Sequence, residues 1–212
     1  MHISKRILNI ANLIPDNSNV IDVGCDHAFL DIYLTINKKC RCLATDISAS
    51  ALKSARANIK KYKLDKEINT LKTDGLENID IKKDDYIVIA GMGTGTIKHI
   101  LKEKSLSDNL VISTHNELDV LRAFVINLGY FITDEIFFFD KEKPYVVIKF
   151  KKGTNNYNSD DIIYGPILRY NKEYITYLKN NLNKIKKQVP FFKFKLKRTI
   201  NKKIKKLDKI SS

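Results

Sequence analysis

The stretch Val20-Ile-Asp-Val-Gly-Cys-Asp-His27 constrains this chain more than any other, because it runs an apolar strand directly into a glycine turn. A helical pattern follows the turn, and a second apolar run, Cys42-Leu-Ala-Thr-Asp46, ends in a carboxylate 22 residues after Gly24. Strand, glycine turn, helix and second strand closing on an acid form the corner of an open α/β sheet that holds a nucleoside. Gly24 lets the backbone approach the ligand, and Asp46 can accept hydrogen bonds from two ribose hydroxyls.

What the turn lacks discriminates among nucleoside cofactors. A dinucleotide fingerprint needs Gly-x-Gly-x-x-Gly, so that main-chain amides can crowd a pyrophosphate. The turn here reads Gly24-Cys-Asp-His-Ala-Phe29, with one glycine and an acid inside it. Asp26 would repel a diphosphate and attract S-adenosylmethionine, which carries an ammonium and a sulfonium and no phosphate. The turn therefore predicts a methyl-donor site, the alternatives being a nicotinamide site or an ordinary βα turn without a ligand.

The chain has 212 residues, enough for one α/β domain and a small appendage. Its net charge of +14 is unevenly spread: residues 1–150 hold 21 Lys+Arg against 20 Asp+Glu, whereas residues 151–212 hold 17 against 4. A compositional bias toward lysine would raise both segments, so the basic tail points to a polyanionic partner. Cys25, Cys40 and Cys42 lack both a disulfide spacing and a second metal-ligand pair, and they read as small core residues with no metal site. No apolar run reaches the ~18 residues of a membrane span and no signal-peptide pattern opens the chain, so a soluble, cytoplasmic protein without a membrane partner is expected.

Helical spacing of apolar residues over Ser4–Leu13 predicts a short amphipathic helix with Lys5 and Arg6 on its polar side. Strands are expected at Val20–Val23, Cys42–Asp46, Ile68–Lys72, Tyr86–Ala90 and Leu110–Ser113. Helices are expected after Val23 to about Ile36, over Ala49–Lys61 behind an N-cap Ser48, after Gly93 to about Lys102, and from about Asn116 to Leu128 with Gly129 closing it. Tyr130–Phe139 and Tyr145–Lys151 read as an antiparallel pair around a turn at Asp140–Pro144. The pattern predicts an α/β fold: a Rossmann-like, mostly parallel sheet with an antiparallel edge strand. It places one domain at residues 1–152 and a basic α-helical hairpin or short coiled coil at 153–212, its two helices meeting at Pro190.

Several of these segments, taken in order, resemble one family. Ser4-Lys-Arg6 with Ile14-Pro15, Asp22-Val-Gly-Cys-Asp-His-Ala-Phe-Leu30, Asp74-Gly-Leu76, Ile89-Ala-Gly-Met-Gly93, Asn116 with Arg122, Gly129-Tyr130 and Tyr164-Gly-Pro166 are similar to the motifs of bacterial tRNA (adenine-22-N1)-methyltransferases. The chain departs from the family pattern at Thr94, where Gly-Met-Gly-Gly is usual, and at Thr114-His115, where Gln-Pro precedes the Asn. The resemblance implies a class I methyltransferase domain with a C-terminal helical hairpin. The implied reaction transfers the methyl of S-adenosylmethionine to N1 of adenine 22 in the D arm of tRNA.

On that resemblance, Gly24, Asp26 and His27 border the methionine part of the cofactor, with Asp26 toward its ammonium. Asp46 takes the ribose, Ile47 lies against the adenine ring, and Asp74 with Gly75 meets the adenine amine. Ala90, Gly91 and Met92 end the fourth strand beside the cofactor. Met92, Gly93 and Asn116 are the candidates for the substrate pocket. Structural alternatives stand beside these roles: Asp74 and Asn116 can each cap a helix, and His27 can cap its own turn. No residue is identified as a general acid or base. Lys5, Arg6, Lys184, Lys186, Lys187, Lys193, Lys195, Lys197, Arg198, Lys202 and Lys203 are the expected phosphate contacts on tRNA. Phe191, Phe192 and Phe194 are expected to seal the hairpin tip rather than to stack on bases. A monomer is expected. The rival readings are a methyltransferase for another RNA base or a small molecule, and an RNA-binding protein on a methyltransferase fold that no longer catalyses.

Overall fold

The computed structural model describes residues 3–102 and 106–211. The chain divides into two compact units, Met1–Asn155 and Asn156–Ser212.

The first unit is built on a seven-stranded sheet of order β3-β2-β1-β4-β5-β7-β6. Its strands are β1 (Asn19–Val23), β2 (Arg41–Asp46), β3 (Ile68–Lys72), β4 (Tyr86–Ala90), β5 (Asn109–Thr114), β6 (Tyr130–Asp140) and β7 (Lys143–Lys152). Strands β1 to β5 are mutually parallel, while β7 runs against β5 and pairs antiparallel with the outermost strand β6. The central strands are apolar on both faces because helices cover both: Ile87, Val88 and Ile89 of β4 and Leu110, Val111 and Ile112 of β5 are fully buried.

Helices α1 (Lys5–Asn12), α2 (Phe29–Lys38), α3 (Ala49–Lys61), α4 (Thr94–Leu101) and α5 (Leu118–Asn127) supply those layers. Ser4 and Ser48 cap α1 and α3 by accepting from the backbone N–H of Ile7 and of Ala51, each at 3.3 Å. Gly129, at φ +84°, takes the left-handed position that closes α5. The β6–β7 turn is a two-residue reversal with Lys141 and Glu142 both at positive φ (47° and 65°), the geometry that matches strand twist but normally selects Asn or Gly.

The second unit holds α6 (Ser159–Tyr164), a 3-10 turn (Leu168–Tyr170), α7 (Lys172–Gln188) and α8 (Phe194–Ser211). No element is expected from sequence over residues 160–164, yet Ser159–Tyr164 forms a helix. Asn158 accepts from the N–H groups of Asp160 and Asp161 at 2.8 and 3.1 Å, and Asp161 returns a bond to the Asn158 N–H at 2.9 Å, a complete capping box. Tyr164, Leu168, Tyr174, Ile175, Val189, Ile200 and Leu207 form the buried seam of this unit. No helix among the described residues is long and apolar enough to cross a membrane.

Candidate functional site

Strand order reverses between β1 and β4, and ligands of open α/β sheets bind in the crevice beyond the carboxyl ends of the strands at such a reversal. The five parallel strands each deliver a predicted site residue to that edge. Gly24 follows β1, Asp46 ends β2, Asp74 lies two residues beyond β3, Ala90 ends β4 ahead of Gly91 and Met92, and Asn116 lies two residues beyond β5.

The first turn is held from β2. The carbonyl of Thr45 accepts from the N–H groups of Gly24 and Cys25, both at 2.9 Å. Gly24 stands at φ +80°, and Asp26 and Ala28 also adopt left-handed backbone at φ 50° and 57°. Asp46 fixes the same turn: its Oδ2 accepts from the Asp26 N–H at 3.2 Å, while its Oδ1 accepts from the Ser48 N–H at 2.8 Å. A carboxylate has about four acceptor positions, so two main-chain donors orient Asp46 and leave acceptor capacity for a diol. The Asp26 side chain is 74% exposed, with Oδ1 3.6 Å from His27 Nε2, and the His27 ring centre lies 5.8 Å from that of Phe29. Ile47 is 63% exposed at the same edge, an apolar surface for a ring to lie against.

Glycines clear the space around this turn. A Cβ on Gly24 would stand 2.3 Å from Met92 Cε, so the end of the Met92 side chain crosses the glycine. Gly91, at φ +80°, needs its conformational freedom, whereas a Cβ on Gly93 would meet nothing within 4 Å. Asp74 and Gly75 border a cavity of about 320 Å³ together with His99 and Lys102. The Asp74 carbonyl accepts from the Glu77 N–H at 3.1 Å in a turn that leads into no α-helix, so Asp74 is not a helix cap.

Asn116 is not a helix cap either. Glu117 occupies the N-cap position of α5 at φ 49°, and Asn116 Oδ1 accepts instead from the Thr114 hydroxyl at 3.0 Å. Thr94, one of the two departures from the family pattern, is buried, and its hydroxyl donates to the Asn116 carbonyl at 2.8 Å. It thereby ties the start of α4 to the loop after β5. At the other departure, the His115 ring stands edge-on to Tyr145, with ring centres 6.4 Å apart.

Three contributors escaped the sequence reading. Asp22 lines a cavity of about 90 Å³ with Arg6, Gly24, Asp26, His27 and Ala90. It is 5% exposed, and Asp31 on α2 is fully buried. Burial pushes the Asp22 carboxyl up to about 7, with Asp31 and the Arg6 guanidinium pulling it back and Asp46 pushing it further. Burial, and then the adjacent Asp22 charge, hold Asp31 well above the usual carboxylate range. The two carboxyls share a side-chain hydrogen bond, which requires a proton on one of them. Two neighbouring acids in such surroundings do not both ionise at neutral pH, so the pair holds a proton. The signal for Asp22 was an acid inside an otherwise apolar strand; Asp31 looked like an ordinary first-turn helix acid. Tyr145 is the third: it stacks on Phe138 at 5.7 Å and carries the Arg6 guanidinium 5.9 Å from its ring centre. Arg6, assigned to RNA from its place on the polar side of α1, thus lines this cavity, while Lys5 is exposed.

The cysteines sit in surroundings that disfavour the thiolate. Cys25, Cys40 and Cys42 are free and buried, and burial raises all three thiols above their usual range. Among the described residues, no group of three or more His, Cys, Asp or Glu is placed to hold a metal ion. In the second unit, Lys184, Lys187, Lys193, Lys195, Arg198, Lys202 and Lys203 are exposed, and Lys186 and Lys197 are half-buried. Lys206 pairs with Asp160, and Lys179 with Asp208 at 2.8 Å.

An acid-lined edge at the sheet reversal, with one turn glycine and no phosphate cradle, defines the class of a methyltransferase domain, and the family model described as "Methyltransferase domain" matches residues 3–148. The tRNA (adenine(22)-N(1))-methyltransferase of Bacillus subtilis is 30% identical over 183 residues, covering 81% of this chain and 77% of that one. The chain belongs to the tRNA (adenine-22-N1)-methyltransferase family. The structure of M. capricolum TrmK in complex with S-adenosyl-homocysteine is 31% identical, with a TM-score of 0.84 over 99% of this chain and 97% of that one. A Streptococcus agalactiae protein of the NADB-Rossmann superfamily, 26% identical, superposes with a TM-score of 0.87 over 100% of this chain and 98% of that one.

Proposed function

We propose that this protein methylates N1 of adenine 22 in the D arm of tRNA, with S-adenosylmethionine as donor. The observation that carries the reading is the convergence of Asp26, Asp46 and Asp74 on one sheet edge in a chain whose residues beyond 150 are strongly basic. S-adenosylmethionine supplies a methyl group made electrophilic by its sulfonium.

The chain's own residues bind and orient. Asp46, already fixed by the N–H groups of Asp26 and Ser48, accepts from the ribose hydroxyls, and the exposed Ile47 packs on the adenine ring of the donor. Asp26 faces the ammonium, and Asp74 accepts from the donor's adenine amine. Gly91 and Gly93 leave room for the target base, with Met92 on its cofactor side and Asn116 held by Thr114 and Thr94 at its edge.

N1 of adenine carries an in-plane lone pair, so attack needs no prior deprotonation. What the site must provide is alignment of the lone pair with the methyl carbon. The adenine becomes cationic as it is methylated, and an acidic, partly dry edge favours that charge. N1 is a Watson–Crick atom, so the base must be turned out of its stack, and the lysines of α7 and α8 contribute affinity and register on the phosphates.

The test is to map methylation on bulk tRNA lacking the modification, comparing wild type with Asp46→Ala. The expected result is 1-methyladenosine in the D arm, greatly reduced in the variant. A methylated base elsewhere, or no methylated tRNA at all, would overturn the reading.

A further inference from the structure

Sequence reasoning assigned Phe191, Phe192 and Phe194 to sealing the hairpin between α7 and α8. The structure leaves them outside: Phe191 is 75% exposed, Phe192 62% and Phe194 69%. The tip is sealed by Val189, 9% exposed, while Ile200 and Leu207 hold the seam below it. Three neighbouring aromatic side chains in water, without a role in packing, call for an occupant.

We propose that this aromatic tip is a stacking platform for unpaired bases of the tRNA substrate. Charge identifies the occupant. Lys186, Lys187, Lys193, Lys195, Lys197 and Arg198 flank the three phenylalanines in sequence, and no acid lies between Glu173 and Asp208. Aromatic faces inside a cationic collar are how proteins hold single-stranded nucleic acid: the cations take phosphates, and the rings take bases regardless of sequence. The same charge opposes a second copy of this hairpin, which would bring like-charged collars together.

Geometry narrows the partner to a loop. The Phe191 and Phe192 rings meet edge to face, with centres 5.7 Å apart and planes at 83°. Perpendicular faces receive bases splayed apart, as in a loop, and not successive bases of a continuous stack. Sequence-specific RNA recognition targets the unstacked bases of such loops, which stack on aromatic side chains. The proposal rests on the tRNA reading above and adds to it a contact made by apolar side chains, separate from the phosphate contacts of the lysines.

The two contributions separate experimentally. The triple variant Phe191→Ala/Phe192→Ala/Phe194→Ala removes only exposed side chains, so it should melt with the wild type and bind cofactor equally well. Base–aromatic stacking contributes about 5- to 150-fold per base, so tRNA affinity should fall at least tenfold. The slope of log affinity against log salt should stay the same, because no phosphate contact is lost. Lys193→Gln/Lys195→Gln/Lys197→Gln should instead flatten that slope. The chain contains no tryptophan, so Phe192→Trp places a single indole at the tip. Its fluorescence should be quenched by tRNA and by an RNA hairpin loop, and much less by a fully paired duplex.

Equal tRNA affinity of the triple variant and wild type would overturn the proposal. So would an indole that responds to phosphatidylserine vesicles but not to RNA, or a wild-type dimer that the triple variant dissociates. If wild type methylates no tRNA, the assigned reaction itself fails; if wild type and triple variant methylate and bind equally, only the stacking platform fails.

Discussion

Gly24 and Met92 occupy one volume, since a Cβ on the glycine would stand 2.3 Å from the methionine Cε. The turn after β1 and the turn after β4 therefore close on each other at the sheet reversal, where the donor site is proposed. Gly24→Ala should act in two ways. Its backbone, at φ +80°, is one that an L side chain adopts at a cost of about 1–2 kcal/mol. The displaced Met92 end then moves into the approach to the cofactor. Calorimetric titration should show S-adenosylmethionine binding at least tenfold weaker, with melting lowered by a few degrees.

Asp46 links the same turn to the start of α3 through its two oxygens. Asp46→Asn keeps the volume but replaces one acceptor oxygen by a donor amide, which must face the N–H of either Asp26 or Ser48. A hydrogen bond to a charged group contributes roughly 1.5–3 kcal/mol, so cofactor affinity should fall about 10- to 100-fold. The fold should survive, and far-UV circular dichroism with calorimetry distinguishes lost binding from unfolding.

The parallel strands were legible because two-sided burial leaves a plain mark: Tyr86-Ile-Val-Ile-Ala90 has no polar face to hide. The edge at the sheet reversal was legible because its glycine and acids sit at strand ends. The helix at Ser159–Tyr164 was not, since its signal is a reciprocal capping box on a polar segment of six residues, too short for periodicity. Arg6 and Tyr145 come from opposite ends of the first unit, and nothing local announces that a cation will meet a ring across about 140 positions. Asp31 was invisible for a similar reason: a helix acid near the N-terminus is ordinary until the partner that surrounds it is known.

The Asp22–Asp31 pair gives stability a pH dependence of definite sign. Asp22 is raised from 3.8 to about 7 in the folded state, chiefly by burial, and Asp31 is raised in the same direction. The folded chain thus binds more protons than the unfolded one between those values, and stability falls as pH rises from about 4 through 7. Asp31→Asn supplies a neutral neighbour that no longer has to hold a proton. Denaturant titrations should show the variant gaining on wild type as pH rises, by at least about 1 kcal/mol at pH 8 relative to pH 5. A difference that stays constant over that interval would show that the pair does not share the titration.

Arg122 on α5 and Glu135 on β6 make the most deeply buried ion pair among the described residues, Nε to Oε1 at 2.8 Å with both side chains at 0% exposure. Breaking such a pair from one side strands the other charge and costs about 3–5 kcal/mol, whereas removing both groups is far milder. Glu135→Leu should therefore lower the denaturation midpoint severely, and Arg122→Leu/Glu135→Leu should recover a large part of the loss. Their coupling in a double-mutant cycle should exceed about 1.5 kcal/mol. Because α5 begins two residues after Asn116, the loosened single variant should also lose methylation at saturating donor while still binding the donor through β1 and β2. Equal loss of donor affinity and turnover would instead mean that the whole sheet edge depends on this pair.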